Sequence, residues 1–374
     1  MPAPFPPLEL PRRLLHGPGP SPVPPSVLAA LAKPCIGHMD PEFMRVMNEV
    51  REMLQTVFET ENEMTLACSG TGSAGAEMLA ANLVQPGDAC LVCVNGVFGG
   101  RFAEQCRRAG GEVTTLTAPW GAAFDQHEVI AKVDELKPRL VMIVHAETST
   151  GVLQPIDRLG EAVHKHDGLF VVDCVTSLGG LPVQTDLRQI DAAYSGTQKC
   201  LSCPPGLAPV TLSERAMHRV NNRRTKVSSW YLDLTLVGNY WSGSRAYHHT
   251  APVNMNFALH EALRLILEEG LETRFARHEH MHQALKRQLC ERGYEYASDP
   301  ERSLPMLNLI KVPTHVPDEA AARRALLETH ALEIGGGLGD FAGKCWRIGL
   351  MGHGAREENV DAIIKALDAV SPPQ

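Results

Sequence analysis

The chain has 374 residues, of which 44% are hydrophobic and 21% are charged, and its formal net charge is −8. This composition is typical of a globular protein with a large core, and the acidic balance without a long basic run argues against a nucleic-acid partner. No apolar stretch is long enough to span a bilayer, so we expect no membrane partner. The proline-rich start, MPAPFPPLELPRR, lacks the apolar segment of a secretory signal, and we expect a cytoplasmic protein.

The sequence pattern predicts three regions. Residues 1–25 are rich in proline and show no periodicity, which indicates an extended N-terminal arm. Residues 26–262 alternate apolar strands with helices such as Pro41–Phe58, which is typical of an α/β domain with a mostly parallel central sheet and helices on both faces. Residues 263–374 are predicted to form a smaller C-terminal α+β domain. One long amphipathic helix, over about 257–292, is predicted to bridge the two domains.

A glycine-rich segment follows the first predicted strand of the sheet, Met64–Cys68. It reads Ser69-Gly-Thr-Gly-Ser73 and continues to Gly75, so that it matches G-x-G-x-x-G and precedes a helix. The same pattern marks dinucleotide sites, but these require an acidic residue at the end of the next strand. That strand ends in Asn95, and Asp88 precedes it. Glycines and a helix N-terminus can still hold a phosphate through backbone N–H groups.

Two further predicted strands present a carboxylate and an amine at one edge of the sheet. The apolar run Leu169–Val172 ends in Asp173, and the run Asp191–Ser195 leads into Lys199. Open α/β sheets bind ligands at the carboxyl ends of their strands. A lysine amine can condense with an aldehyde cofactor, and a carboxylate can hold a pyridine nitrogen protonated. The pair therefore predicts a pyridoxal 5′-phosphate site; the alternative is a helix-capping aspartate and a solvated lysine.

The segments around these two residues, VDCVTSLGG and YSGTQKCLSCPPG, resemble the class V aminotransferases, in particular the alanine–glyoxylate and serine–pyruvate branch. The likeness extends from about Gly17 to the C-terminus. It implies the type I aminotransferase fold, a homodimer, and transfer of the amino group of a small amino acid, alanine or serine, to a 2-oxo acid such as glyoxylate. Lys199 and Asp173 would be the catalytic residues.

The resemblance also implies the other cofactor contacts. The glycine-rich segment would hold the phosphate, and Thr148 would face the phenolic oxygen. Phe98 would stack on the ring where the family commonly has Trp; a core aromatic is the alternative. The segment Tyr247-His-His-Thr250, called the Y-H-H-T segment below, would reach the phosphate of the neighbouring subunit; an ordinary loop is the alternative. The predicted cofactor-binding residues are Ser69, Gly70, Thr71, Gly72, Ser73, Phe98, Thr148, Asp173, Gln198, Lys199, Tyr247 and Thr250.

Three residues are predicted to bind the substrate. Arg347 lies in an otherwise apolar predicted strand, and its planar fork suits a carboxylate; a structural salt bridge is the alternative. By resemblance, Gly19 lies along the mouth of the active site and His38 borders the substrate. His38 departs from the small residue usual in the alanine enzymes, which leaves a more polar donor such as ureidoglycine open.

Two patterns suggest a metal, but we predict none. Cys90 and Cys93 would point to opposite faces of a strand, while Cys200 and Cys203 sit beside the lysine and read as buried small residues. The segment His278–His282 matches the H-E-x-x-H motif of zinc proteases, yet no third ligand is evident.

Other functions fit the sequence less well. A cysteine desulfurase would require a mobile catalytic thiol, and Cys345 lies only two residues from Arg347 in a strand. A nicotinamide-dependent dehydrogenase would lack its ribose-binding acid and would leave Lys199 without a role. A non-enzymatic scaffold would leave the Asp–Lys–Arg set without purpose.

Overall fold

The computed structural model describes residues 5–242 and 244–372, and within them strands and helices alternate along most of the chain. The strands are β1 (Leu14–Leu15), β2 (Met64–Ser69), β3 (Ala89–Val94), β4 (Glu112–Thr117), β5 (Leu140–Val144), β6 (Ala146–Glu147), β7 (Val152–Leu153), β8 (Leu169–Asp173), β9 (Ala192–Tyr194), β10 (Leu207–Leu212), β11 (Leu307–Lys311), β12 (Leu332–Glu333), β13 (Gly335–Gly336) and β14 (Cys345–Gly349). The helices are α1 (Pro25–Leu31), α2 (Pro41–Phe58), α3 (Gly72–Leu83), α4 (Val97–Arg108), α5 (Gln126–Leu136), α6 (Leu159–His164), α7 (Glu214–Asn221), α8 (Leu234–Trp241), α9 (Val253–Glu269), α10 (Leu271–Glu291), α11 (Glu319–His330) and α12 (Glu357–Val370).

The central sheet has seven strands in the order β2-β10-β9-β8-β5-β3-β4. The pairs from β9 to β4 are parallel, and β10 alone runs against its neighbours β2 and β9. All residues of β5 and β8 are buried, as expected for strands covered on both faces. The predicted α/β fold with a mostly parallel sheet is therefore confirmed.

Helix α2 shows how local sequence sets an element of this layer. The side chain of Asp40 caps its N-terminus by accepting from the N–H of Glu42, and Pro41 occupies the first turn. One face of the helix is buried, and the helix ends where Glu59 takes a left-handed conformation with φ 56°. These bounds are those predicted from the apolar spacing.

The predicted single helix over 257–292 is wrong: α9 and α10 are separate helices. Gly270 lies between them with φ 83° and ψ 137°, a conformation that leaves the helical region and that glycine adopts without strain. Two ion pairs hold the junction, because Glu269 at the end of α9 lies 2.7 Å from Arg274 and 2.6 Å from Arg277 on α10.

The C-terminal part has its own three-stranded sheet, β11-β14-β13, which is antiparallel. Its apolar cluster contains buried residues between Met281 and Leu367, while the main cluster contains buried residues between Val27 and Ile266. In the N-terminal arm, β1 pairs in parallel with β12, so the arm is joined to this part. The predicted domain boundaries stay predictions. None of the helices described is both long and apolar enough to cross a membrane.

Candidate active site

A cavity lies at the carboxyl ends of three neighbouring strands of the central sheet. Val144, Asp173 and Tyr194 are the last residues of β5, β8 and β9, and all three line this cavity. Parallel strands end at the same edge, which explains why residues distant in sequence meet there. Eight residues predicted from the sequence also line it: Thr71, Gly72, Ser73, Phe98, Thr148, Asp173, Gln198 and Lys199.

Asp173 is a buried carboxylate whose two oxygens both accept hydrogen bonds. Oδ1 accepts from the N–H of Val175 at 2.8 Å, and Oδ2 accepts from the hydroxyl of Tyr194 at 2.5 Å. Burial raises the pKa of Asp173 to about 6, although both hydrogen bonds lower it. A cationic group placed in the cavity would oppose that effect of burial. Tyr194 was not identified from the sequence.

Lys199 is buried and faces the N-terminal arm. Its Nζ donates a hydrogen bond to the carbonyl oxygen of Pro18. Burial, followed by the nearby charge of Arg347, lowers the pKa of Lys199 to about 8. The amine therefore has a much larger neutral, nucleophilic fraction at neutral pH than an exposed lysine. Gly19 has φ 109°, a conformation that side chains rarely adopt, and a Cβ on it would lie 2.7 Å from Nζ, so glycine suits this close approach of the arm to the amine.

The glycine-rich segment ends at the N-terminus of α3. The side chain of its N-cap residue, Thr71, makes no capping hydrogen bond, so the first N–H groups of the helix remain available for an anion. A Cβ on Gly72 would lie 3.3 Å from Val175, which shows how close the backbone passes. Ser69 and Gly70 precede this turn without lining the cavity, and the hydroxyl of Ser69 contacts Nε2 of His249 at 2.7 Å.

Phe98 is held at the start of α4 by a buried carboxylate. Its N–H donates to Oε2 of Glu147 at 3.1 Å, and Glu147 also accepts from the N–H and the hydroxyl of Ser149. Burial raises the pKa of Glu147. The guanidinium of Arg101 lies 5.0 Å from the centre of the Phe98 ring. Glu147 and Arg101 were both missed from the sequence.

Arg347 is a buried cation in β14, only 7% exposed. Its Nε donates to the carbonyl oxygen of Gly336 at 2.7 Å. Among the residues that the structure describes, no carboxylate forms an ion pair with Arg347 and no acceptor bonds its two terminal nitrogens. Burial lowers the pKa of Arg347 to about 10. The structural salt bridge considered from the sequence is thus not seen in the described part of the chain.

Seven of the predicted residues lie outside the cavity lining: Gly19, His38, Ser69, Gly70, Tyr247, Thr250 and Arg347. The rings of His38 and Tyr247 are 5.3 Å apart, and Tyr247 is 63% exposed. Thr250 is exposed as well. A single chain therefore brings neither Tyr247 nor Thr250 to its own cavity.

The H-E-x-x-H histidines have structural partners. Nδ1 of His278 lies 2.8 Å from the carbonyl oxygen of Arg274, and its Nε2 accepts from the N–H of Gly352 at 2.9 Å. Nδ1 of His282 lies 2.8 Å from Oδ1 of Asn308. Within residues 5–242 and 244–372, no group of three or more His, Cys, Asp or Glu side chains could hold a metal ion.

A mostly parallel sheet that carries a buried aspartate, a buried lysine and a helix N-terminus around one cavity defines a pyridoxal-phosphate enzyme of the type I aminotransferase fold. The family model "Aminotransferase class-V" matches residues 14–338, so the chain belongs to that family of pyridoxal-phosphate enzymes. The family and the cofactor predicted from the sequence are thereby confirmed.

Known proteins similar to this chain share nearly its whole length. The alanine–glyoxylate aminotransferase of Oryctolagus cuniculus is 42% identical over 365 residues, covering 96% of this chain and 93% of that protein. The (S)-ureidoglycine–glyoxylate transaminase of Bacillus subtilis is 39% identical over 378 residues, covering 96% and 91%. The crystal structure of an alanine–glyoxylate aminotransferase from Nostoc sp. matches with a TM-score of 0.97 and 46% identity, covering 98% and 97%.

Proposed function

We propose that this aminotransferase moves the amino group of a small amino acid, alanine or serine, to a 2-oxo acid, with glyoxylate as the preferred acceptor. One observation carries the proposal: the buried groups of Asp173 and Lys199 face one cavity, and Arg347, which has no ion-pair partner among the described residues, lies close enough to lower the pKa of Lys199. The relatives named for glyoxylate support the choice of acceptor.

The residues of the cavity fit pyridoxal phosphate. The uncapped start of α3 and the segment Ser69–Ser73 would hold the phosphate, and Phe98 would cover one face of the ring. Asp173 would hold the ring nitrogen, Thr148 would face the phenolic oxygen, and Gln198 would complete the contacts beside Lys199. When bound, the cofactor supplies an electron-withdrawing ring that stabilises the negative charge left on the substrate after loss of the Cα proton.

Lys199 is proposed to carry the proton. A neutral amine would accept the proton from the substrate Cα, and the resulting ammonium would return it to the C4′ carbon of the cofactor. A pKa near neutrality serves both directions, and burial lowers the pKa of Lys199 to about 8. Asp173 would act as an anion that holds the ring nitrogen of the cofactor in its protonated form.

Arg347 is proposed to bind the carboxylate that the amino donor and the oxo-acid acceptor share. Its terminal nitrogens present two parallel N–H donors, which match a carboxylate in two-point geometry. The same clamp would serve both substrates in turn, as a ping-pong sequence requires. Gly19 would leave room for the substrate beside Lys199 because it has no side chain.

A ureidoglycine donor is the second candidate. By resemblance, His38 stands where the alanine enzymes usually have a small residue, and its imidazole lies 5.3 Å from the phenol ring of Tyr247, outside the cavity lining of their own chain. These polar groups suit a donor with an additional amide better than they suit alanine, whose side chain is a methyl group. The Bacillus subtilis relative carries the ureidoglycine name.

A panel of amino donors tests both candidates. Alanine, serine and ureidoglycine are each paired with glyoxylate and with pyruvate, and the cofactor spectrum follows each half-reaction. We expect the highest kcat/KM for alanine or serine with glyoxylate; a clear preference for ureidoglycine would select the second candidate. Turnover with none of these donor–acceptor pairs would contradict the proposal.

An Asp173→Asn variant with cofactor bound should lose several powers of ten in turnover with every donor, since electrostatic stabilisation is a large contribution.

We also propose that the protein acts as a homodimer. The aromatic residues Trp230, Tyr231 and Tyr247 are exposed, at 62%, 42% and 63%. Exposed aromatic groups are typical of protein interfaces, and Tyr247 and Thr250 would reach the partner's cofactor phosphate. The cytoplasmic location stays a prediction.

A further inference from the structure

We propose that binding of the cofactor phosphate brings one proton into the protein, and that His249 holds this proton as part of a relay through His248. The inference rests on the proposed function, because it takes the segment Ser69–Ser73 as the phosphate site. It gives the two histidines of the Y-H-H-T segment a role that neither the catalytic residues nor the predicted dimer contacts supply.

The relay is a continuous chain of hydrogen-bonding atoms. The hydroxyl of Ser69 lies 2.7 Å from Nε2 of His249, and Nδ1 of His249 lies 2.8 Å from Nδ1 of His248. Nε2 of His248 lies 3.3 Å from the carbonyl oxygen of Trp230. The Trp230 ring stacks on His248 with centroids 4.3 Å apart and fixes the orientation of that imidazole.

The chemistry of these atoms sets one direction for the protons. The Trp230 carbonyl only accepts, so Nε2 of His248 carries a proton. A neutral His248 then offers Nδ1 as an acceptor, and the proton between the rings belongs to Nδ1 of His249. A neutral His249 accepts at Nε2, so the hydroxyl of Ser69 donates to it.

His249 is neutral at pH 7 before a ligand binds. Burial, and then the neighbouring His248 and His38, lower the pKa of His249 to about 4. The other groups that face His249 are phenols: Tyr231 at 5.2 Å and Tyr240 at 5.7 Å between ring centres. In the part of the chain that the structure describes, neither histidine forms an ion pair with a carboxylate.

A bound phosphate would compete with His249 for the hydroxyl proton of Ser69. Phosphate oxygens accept hydrogen bonds, but the only hydroxyl proton of Ser69 is directed at His249. If Ser69 donates to the phosphate and also keeps its hydrogen bond with His249, Nε2 of His249 must carry a proton and donate to the Ser69 oxygen. A shift of the existing protons would leave Nε2 of His248 facing the Trp230 carbonyl with no proton between two acceptors. Uptake of one proton from solvent at Nε2 of His249 avoids this, and it changes no other covalent bond.

The resulting imidazolium lies one hydroxyl away from a dianion, which raises the pKa of His249. Proton uptake linked to binding makes affinity depend on pH. Affinity should fall by up to about tenfold for each pH unit above neutrality, over the range in which the bound form holds the proton and the free form does not.

Calorimetry on a protein that cannot condense with the aldehyde tests the relay. Pyridoxal phosphate is titrated into the Lys199→Ala variant at pH 7, where its phosphate is mainly a dianion, in two buffers of different ionisation enthalpy. The difference in heat gives the protons taken up. We expect uptake close to one proton, and close to none after adding His249→Gln, whose amide donates to Ser69 without titrating.

Two further variants make the result specific. Adding Ser69→Ala removes the hydroxyl that requires the proton, so uptake should again be lost; this variant serves if His249→Gln fails to fold. Adding His260→Gln removes a histidine on α9 that contacts Glu49 at 2.7 Å, and uptake should be unchanged. Tight binding with equal uptake in all variants would overturn the relay alone. Absence of binding in Lys199→Ala and in the unmodified protein would overturn the proposed function, and the relay with it.

Discussion

Tyr194 donates a hydrogen bond of 2.5 Å from its hydroxyl to Oδ2 of Asp173, across the parallel strands β8 and β9. The two residues are direct partners in the register of the sheet, so their side chains leave it on the same side. The carboxylate proposed to face the cofactor ring is therefore oriented by the strand that leads to Lys199.

A Tyr194→Phe variant tests this support. The change removes one donor from a buried carboxylate, so the pKa of Asp173 should rise further and its anionic fraction should fall. A hydrogen bond to a charged group is worth about 1.5–3 kcal/mol, so kcat should drop by about 10- to 150-fold. The matched control is Tyr294→Phe, since that buried hydroxyl donates to the carbonyl oxygen of Ser371 in the C-terminal part and does not line the cavity. Equal losses in the two variants would contradict a specific role for Tyr194.

The lowered pKa of Lys199 predicts how capture of the cofactor depends on pH. Only the neutral amine attacks an aldehyde, so the rate at which cofactor-free protein captures pyridoxal phosphate should rise with pH and level off above about 8. Arg347→Met removes a positive charge that lowers this pKa, so the midpoint should move to higher pH. Stopped-flow absorbance measures both profiles. If the pH midpoint of capture in the unmodified protein lies near the ordinary pKa of lysine, burial does not lower the pKa of Lys199.

Arg347→Lys is expected to weaken both substrates. Lysine keeps the charge but loses the paired donors, and loss of a charge-assisted pair should cost about 2–5 kcal/mol in substrate binding. The effect should appear for amino donor and oxo-acid acceptor alike, while cofactor affinity stays unchanged. Arg323→Lys is the control, because Arg323 lies beside Gly336 but is paired with Glu319 at 2.7 Å. If only one half-reaction changes, Arg347 is not the shared clamp.

Mixed dimers test whether Tyr247 and Thr250 serve the partner's site. Lys199→Ala subunits are mixed with Tyr247→Ala/Thr250→Ala subunits under conditions that exchange protomers. If the two residues act across the interface, each mixed dimer has one site with an intact lysine and intact phosphate contacts. The mixture should then recover about a quarter of normal activity, while each variant alone stays low. No recovery in verified mixed dimers would place both residues in their own subunit's site, and full activity of the Tyr247→Ala/Thr250→Ala protein alone would place them outside any site.

Local sequence patterns predicted most elements because these depend on neighbours along the chain. The bounds of α2 follow from apolar spacing, the Asp40 cap and Pro41. The break between α9 and α10 was missed because apolar residues continue on both sides of Gly270. A glycine inside a periodic pattern is compatible with a continuous helix, and here its positive φ ends one.

The supporting residues of the site were harder to predict because their roles depend on tertiary contacts. Tyr194 reads as a core aromatic in an apolar strand until the register of β8 and β9 places it opposite Asp173. Glu147 reaches the start of α4 from a different segment of the chain. Arg101 did leave a signal, since it follows Phe98 by three residues on one helix and therefore faces the same cavity.

The central claim is that Lys199 is the amine that condenses with the cofactor. The protein is incubated with pyridoxal phosphate, reduced with borohydride, digested, and analysed by peptide mass spectrometry, with Lys199→Arg as the matched control. We predict one modified peptide, with the pyridoxyl group on Lys199, and no specific labelling in the variant. Stoichiometric labelling of another lysine, or equal labelling of the variant, would contradict the account.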